Sequence, residues 1–343
     1  MNFAHGTYLT PQTRPGTTLK PSEAIARTHI NGGLLYTQDK EVVKESIDNR
    51  FSSVPMDINF NIEDRSESEF LFLGYYFRHY GHFILETLPM LSYCLDSNFA
   101  HMKKLFLPYF LNANNIEFNM NSRRHPSLFN LISQFITLAG IDSKQIEFHT
   151  NYSIIKSNFI VPPKAVNGDK KQTNIQLHQT VINKIKTSLP TIEPNRNILI
   201  LRKSSGNRMT EIITDKINNF AINNNIELID MTRLSIADQI SLIHETKILI
   251  GFSGSGMHNS MFLQPNAVSI NISDLRDFKS PKCYIPNQKL CNSISGCKEQ
   301  FIDFKCQDEM KKEYFIPPKD QLTTEQQNFA ANNMIEKLHE IMP

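Results

Sequence analysis

From Asn197 onward the chain alternates short apolar runs with amphipathic segments, and this order limits its possible folds more than any other feature. Asn197–Leu201, Ile226–Asp230, Lys247–Ile250 and Ala267–Ile270 read as strands. Glu211–Asn223, Ser235–His244 and Gly256–Leu263 between them read as helices. Parallel strands cannot be joined by a hairpin, so each needs a crossover, usually a helix. A βαβαβαβ order therefore predicts a parallel sheet covered by helices on both faces. Ligands of such sheets sit beyond the carboxyl ends of the strands, near helix N-termini.

Two segments fall at that end. The first is Gly251-Phe252-Ser253-Gly254-Ser255-Gly256-Met257-His258-Asn259, which follows a strand and opens a helix. Small residues there let backbone N–H groups approach an anion, and a helix N-terminus carries partial positive charge. A diphosphate suits such a turn; a tight turn needing glycine for its backbone alone fits the same residues. The segment is not a dinucleotide-binding G-x-G-x-x-G, because position 259 is Asn259. Nor is it a G-x-S-x-G nucleophile elbow, because position 255 is Ser255. The second segment, Leu201-Arg202-Lys203-Ser204-Ser205-Gly206-Asn207-Arg208, also follows a strand. Beside the glycine turn, Arg202, Lys203 and Arg208 offer cations for a diphosphate.

The first half is less regular. Residues up to about 30 read as an extended lead-in. Gly33–Tyr36 and Glu41–Ser46 read as short strands around the turn Gln38-Asp39-Lys40, and Glu69–Leu73, Leu105–Leu107 and Phe159–Val161 as further strands. A helical period begins at Tyr80, with Pro89 expected to kink it. His82 and Glu86 stand at i, i+4 on that helix, where a carboxylate can orient an imidazole for general-base work. Spacing alone fits a surface hydrogen bond equally, and His79 with His82 and Glu86 would be a weak metal set, lacking an HExxH arrangement. Pro126–Leu138, capped by Gly140, is a second helix. The polar stretch Pro162–Thr173 marks the domain boundary, and helix Ile175–Ser188 follows it. A last helix spans Thr324–Ile341. The expected domains are 1–165 and 166–321, followed by the helix 322–343.

Composition narrows the class of partner. A net charge of +2 over 343 residues is too balanced to argue for nucleic acid, and no nucleic-acid partner is expected. The apolar runs hold far fewer than the ~20 residues of a membrane span, and Met1–Pro15 has no apolar core of a signal peptide. A cytoplasmic protein is expected. The cysteines, Cys94, Cys283, Cys291, Cys297 and Cys306, form no C-x-x-C and read as free thiols.

Taken together, the segments around residues 80–91 (YGHFILETLPML), 201–208 and 251–259, with Leu234-Ser235…Gln239 between, resemble glycosyltransferase family 61. The resemblance runs from about Gly33 to Ser273. Many members carry His-Gly-Ala-Gly in the turn, where this chain has Ser253-Gly254-Ser255-Gly256, so the role of that histidine does not carry over. His258 is the imidazole nearby. The resemblance implies an α/β fold of two Rossmann-like domains facing a cleft, the GT-B type, with room for the C-terminal helix to cross back to the N-terminal domain. It implies inverting transfer from a nucleotide sugar to a glycan or lipid-linked glycan, with no metal or other cofactor. It points to bacterial capsule or lipopolysaccharide synthesis, with peripheral attachment to the inner membrane through Lys103-Lys104 and Lys164…Lys171. The expected base is His82 or Glu86. The expected donor contacts are Arg202, Lys203, Arg208, Ser253, Gly254, Ser255, Gly256, His258 and Asn259. A non-catalytic nucleotide-binding module and a metal-dependent hydrolase are the alternatives.

Overall fold

The computed structural model describes residues 3–9, 12–13, 30–32, 35–46, 51–52, 61–77, 79–109, 130–149, 153–166, 174–202, 209–274, 281–303 and 322–342. Contacts divide the chain into two units, 1–181 and 182–343. Both are mixed α/β. The sequence places the change of domain at 165/166; most of the polar stretch beyond it, 167–173, lies outside the described residues.

The first unit is built on a sheet of β1 (Ala4–Leu9), β4 (Leu35–Tyr36), β6 (Asn61–Phe77), β7 (Lys103–Tyr109), β8 (Ile146–Phe148) and β9 (Ser153–Val161), in the order β4-β1-β9-β6-β7-β8. Strands β9, β6, β7 and β8 run parallel, while β1 is antiparallel to β9 and to β4. Three short strands, β2 (Gln12–Thr13), β3 (Ile30–Gly32) and β5 (Phe51–Ser52), make a separate small sheet.

Strand β6 carries a bulge that the apolar run hides. Phe70 and Phe72 share a core face with Tyr75 and Phe77, a step of three where alternation demands two. The pairing with β7 shifts between Phe72 and Gly74, and Gly74 has φ +85, a conformation that glycine takes without strain. Helix α1 (Asn130–Leu138) ends as its sequence predicts: Gly140, φ +64, donates to Thr137 O and Ile141 donates to Ile136 O, the two bonds of a Schellman cap.

Three expectations are corrected here. The lead-in contains the strand β1, whose Gly6 lets the backbone pass within 3.2 Å of Leu35 Cβ, measured from where a side chain would start. Glu41–Ser46 is not a strand: Val42 makes one bridge to Tyr36, and Lys44–Ser46 winds into a 3-10 turn. There the Ser46 hydroxyl donates to Val43 O and accepts the Leu35 N–H, folding the segment back on itself. Lys104 does not face a membrane. It is fully buried, and its Nζ donates to Phe99 O at 2.6 Å, Met102 O at 3.0 Å and Gln145 Oε1 at 3.0 Å. Three donors meet three acceptors, which is the condition for burying an ammonium.

The second unit holds five parallel strands, β10 (Arg196–Ile200), β11 (Glu227–Ile229), β12 (Thr246–Phe252), β13 (Val268–Ile272) and β14 (Lys298–Ile302), ordered β11-β10-β12-β13-β14. Helix α2 (Ile175–Lys186) spans the division between the units. Helices α3 (Glu211–Asn223), α4 (Ile236–His244), α5 (Pro281–Ser295) and α6 (Thr324–Ile341) belong to the second unit, with a 3-10 helix at Ser255–Phe262. One sheet face, with Leu199, Ile248, Ile250, Phe252, Ile270 and Ile272, packs on α3 and α6. On the other face Met257 fills the place of a side chain at Gly251, its Sδ 2.6 Å from the missing Cβ. The sheet is thus covered on both faces. The C-terminal helix α6 has its core face in this unit: Ala330, Ala331, Met334 and Leu338 bury in the same cluster as Ile213, Ile217 and Phe220 of α3.

The sequence predicts four of these strands and misses α5 and β14. The buried positions of α5 include Gln288, Cys291, Asn292 and Ser295, an i, i+3, i+4, i+7 face. The helical period is present, but mostly polar residues carry it, so a search for apolar periodicity passes over it.

Candidate functional site

In the first unit, strand order reverses between β6 and β9, and the helical segment 80–95 begins just beyond the carboxyl end of β6. This segment is not a kinked α-helix. It winds as α over Tyr80–His82, π over Phe83–Thr87, 3-10 over Leu88–Leu91 and α again over Ser92–Leu95. Pro89 explains the change. It has no N–H for the carbonyl of Leu85, and His178 Nε2 donates to that carbonyl instead at 3.1 Å. Thr87, wholly buried, ties the segment to its strand: Oγ1 donates to Tyr75 O and accepts from Phe77 N. Tyr93 OH reaches Pro163 O beyond the end of β9.

The π turn presents His82 and Glu86 together. His82 Nδ1 lies 2.6 Å from Glu86 Oε1, so Nδ1–H donates to the carboxylate. The imidazole is the more exposed partner, 46 % against 23 %. Its ring is in contact with those of Phe77 and His79, with centroids at 5.6 and 5.5 Å. Among the described residues no three His, Cys, Asp or Glu side chains gather as a metal site would, so His79, His82 and Glu86 do not form one.

His178 also carries a pH dependence. Burial pushes its imidazole well below the ordinary range, from 6.5 to about 4, against the opposing effect of its backbone hydrogen bonds. The unfolded chain takes up a proton near pH 6.5 that the folded chain refuses until about pH 4. This contribution is complete above pH 6.5 and disappears as the pH falls through that window, an effect of about 3 kcal/mol. Melting temperatures measured from pH 7 downward should show the slope. His178→Gln should flatten it while keeping a donor for Leu85 O; an unchanged slope would assign the effect to another group.

In the second unit strand order reverses between β10 and β12. Arg202 follows β10 and the glycine turn follows β12, so both stand at the crevice where open parallel sheets bind ligands. Gly254, Ser255 and Gly256 are the part-exposed tip of a run otherwise buried from Ile248 to Leu263. Arg202 Nη1 hydrogen-bonds to Ser253 O and lies 3.2 Å from Oδ2 of Asp274. Asp274 is fully buried just past β13, and sequence reading missed it. Its only signal was a carboxylate at the end of an apolar strand. The guanidinium lies across Gly254, where a Cβ would meet Nη1, Nη2 and Cζ at 3.4, 3.5 and 3.7 Å.

Other predicted donor residues lie deeper. Ser253, 2 % exposed, accepts at Oγ from Asn271 Nδ2 at 3.0 Å. His258 is buried too. Asn259 is 1 % exposed and donates to Gln239 Oε1, while Gln239 donates to Met231 O and Leu234 O. Gln288 Nε2 donates to Met257 O and Ser260 Oγ, fastening the 3-10 helix to α5. These buried amides support the turn from below. Lys203 and Arg208 lie outside the described residues.

The family model described as Glycosyltransferase 61 matches residues 80–270, more than half of the 343-residue chain. The chain belongs to glycosyltransferase family 61. It is a glycosyltransferase, and the matched span includes the His82–Glu86 pair, the loop after Arg202 and the glycine turn. Comparison with curated proteins finds no match. Among the described residues no helix of the enzyme is long and apolar enough to cross a membrane. Of its cysteines, Cys94, Cys291 and Cys297 are free thiols; the side chains of Cys283 and Cys306 lie outside the description.

Proposed function

We propose that this enzyme transfers a sugar from a nucleotide-sugar donor to a hydroxyl of a glycan acceptor by one inverting displacement. The observation that carries the proposal is the family match, whose span takes in a histidine–carboxylate pair in one unit and an anion-suited glycine turn in the other. In the GT-B reading the first unit serves the acceptor and the second the donor.

The chemistry follows from the residues. Glu86 accepts from His82 Nδ1 and so holds the tautomer whose Nε2 takes up a proton. We therefore assign the base to His82 and its orientation to Glu86. The acceptor hydroxyl gives its proton to Nε2 as its oxygen attacks the anomeric carbon. The bond from that carbon to the diphosphate breaks, and its electron pair leaves on the diphosphate. Arg202, Lys203 and Arg208 with the backbone of Ser253–Gly256 stabilise the leaving charge. His258 and Asn259 act beneath the turn. Cations and peptide dipoles then do what a metal does in other sites, so no cofactor is required. The acceptor is a lipid-linked glycan of capsule or lipopolysaccharide synthesis, met at the cytoplasmic face of the inner membrane. Lys164 and the basic residues up to Lys171 remain the proposed surface contact.

A panel of nucleotide sugars, assayed for acceptor-dependent release of nucleoside diphosphate, tests the donor class. A ligand at ~100 times its Kd should also stabilise the protein by roughly 2.7 kcal/mol. With the donor known, the anomeric configuration of the product should be opposite to that of the donor, and EDTA should leave the rate unchanged. A retained anomer would sink the single displacement; activity abolished by EDTA and restored by manganese would sink the metal-free site.

A further inference from the structure

We propose that Asp274 is a positioning residue for the donor diphosphate, acting through Arg202 on the glycine turn. The inference rests on the donor reading above and concerns a residue beyond the matched span, which ends at 270.

Asp274 and Arg202 tie three adjacent strand ends together. Arg202 stands just past β10, Ser253 just past β12 and Asp274 just past β13. One guanidinium nitrogen, Nη1, meets both the Ser253 carbonyl and the Asp274 carboxylate. The carboxylate is fully buried and the Arg202 side chain 18 % exposed, so water does little to weaken their attraction. Held there, the guanidinium abuts Gly254, whose backbone at φ +156 and ψ 179 favours glycine. The contact thereby sets the direction of the peptides Gly254–Gly256, the exposed tip of the turn. Donors aimed in advance bind an anion better than donors that must be ordered at binding.

This role makes an experimental forecast opposite to simple electrostatics. Removing a carboxylate beside a phosphate site should strengthen anion binding by Coulomb's law alone. If Asp274 positions the turn, Asp274→Asn should instead weaken it. The affinities of UDP, GDP and inorganic pyrophosphate for the full-length protein are measured by calorimetry, along with donor and acceptor KM. The expected result is at least a tenfold loss for whichever diphosphate the wild type binds, a raised donor KM and an unchanged acceptor KM. Gly254→Ala, which pushes on the same contact from the other side, should behave alike, and the double variant should be no worse than either. Arg202→Lys keeps the charge without the planar fork, and serves if Asp274→Asn does not fold; it too should lose at least tenfold. Equal or tighter binding by the folded variants overturns the positioning role while leaving the donor site in place. A wild type that binds none of the three probes overturns the donor reading and this inference with it.

Discussion

His82→Ala and Glu86→Ala should each lower kcat at least ~100-fold while leaving donor affinity nearly intact, since general-base catalysis contributes ~10²–10⁴-fold. The pair meets at 2.6 Å on a π turn, and such turns recur at functional sites because they widen the helix locally. The turn is held by buried groups on either side, Thr87 on the end of β6 and His178 on Leu85 O. Alanine at 82 or 86 should therefore leave the backbone standing and remove only the chemistry. If Glu86 acts by orienting His82, the double variant should be little slower than His82→Ala alone. Steady-state kinetics on the three variants decide this. Wild-type kcat in both single variants would reduce the pair to a surface hydrogen bond.

Arg202→Ala should have two separable effects. It takes one partner, the Arg202 guanidinium, from the buried carboxylate of Asp274, which should destabilise the fold by up to about 3 kcal/mol. It also removes the charge-assisted contact proposed to the donor, which should raise donor KM roughly 10- to 100-fold. The double variant Arg202→Met/Asp274→Leu separates them. With both charges gone, most of the melting temperature should return, because a buried ion pair replaced by apolar groups is often neutral or better. Donor binding should stay weak. Recovery of both together would leave Arg202 a structural residue only.

Much of the fold was legible. Helices Glu211–Asn223 and Thr324–Ile341 begin and end where caps and period place them, because Thr210 and Thr323 are N-caps whose side chains accept backbone N–H groups within four residues. A signal that local needs no third dimension. The turn after β12 was legible for the same reason: a strand, small residues and a helix start follow one another directly. The His82–Glu86 pair was legible because residues four apart meet on a π turn as they do on an α-helix.

What could not be read came from partners distant in sequence. Pro89 announced a disturbance, but its form depended on His178, far along the chain, supplying the missing donor. Lys104 looked like surface charge until Gln145, far along the chain, completed a cage begun by the nearby carbonyls of Phe99 and Met102. Helix α5 hid because buried amides need partners rather than grease, and those partners, Ser260 and the Met257 carbonyl, sit on another element. By itself the sequence determined the parallel βαβ order, the capped helices, the glycine turn and the i, i+4 pair, all set by local sterics and local hydrogen bonds. Only the tertiary structure decided which strand ends stand side by side, and so brought Arg202, Ser253 and Asp274 together. Strand order depends on how whole faces bury against helices, a property no single segment carries.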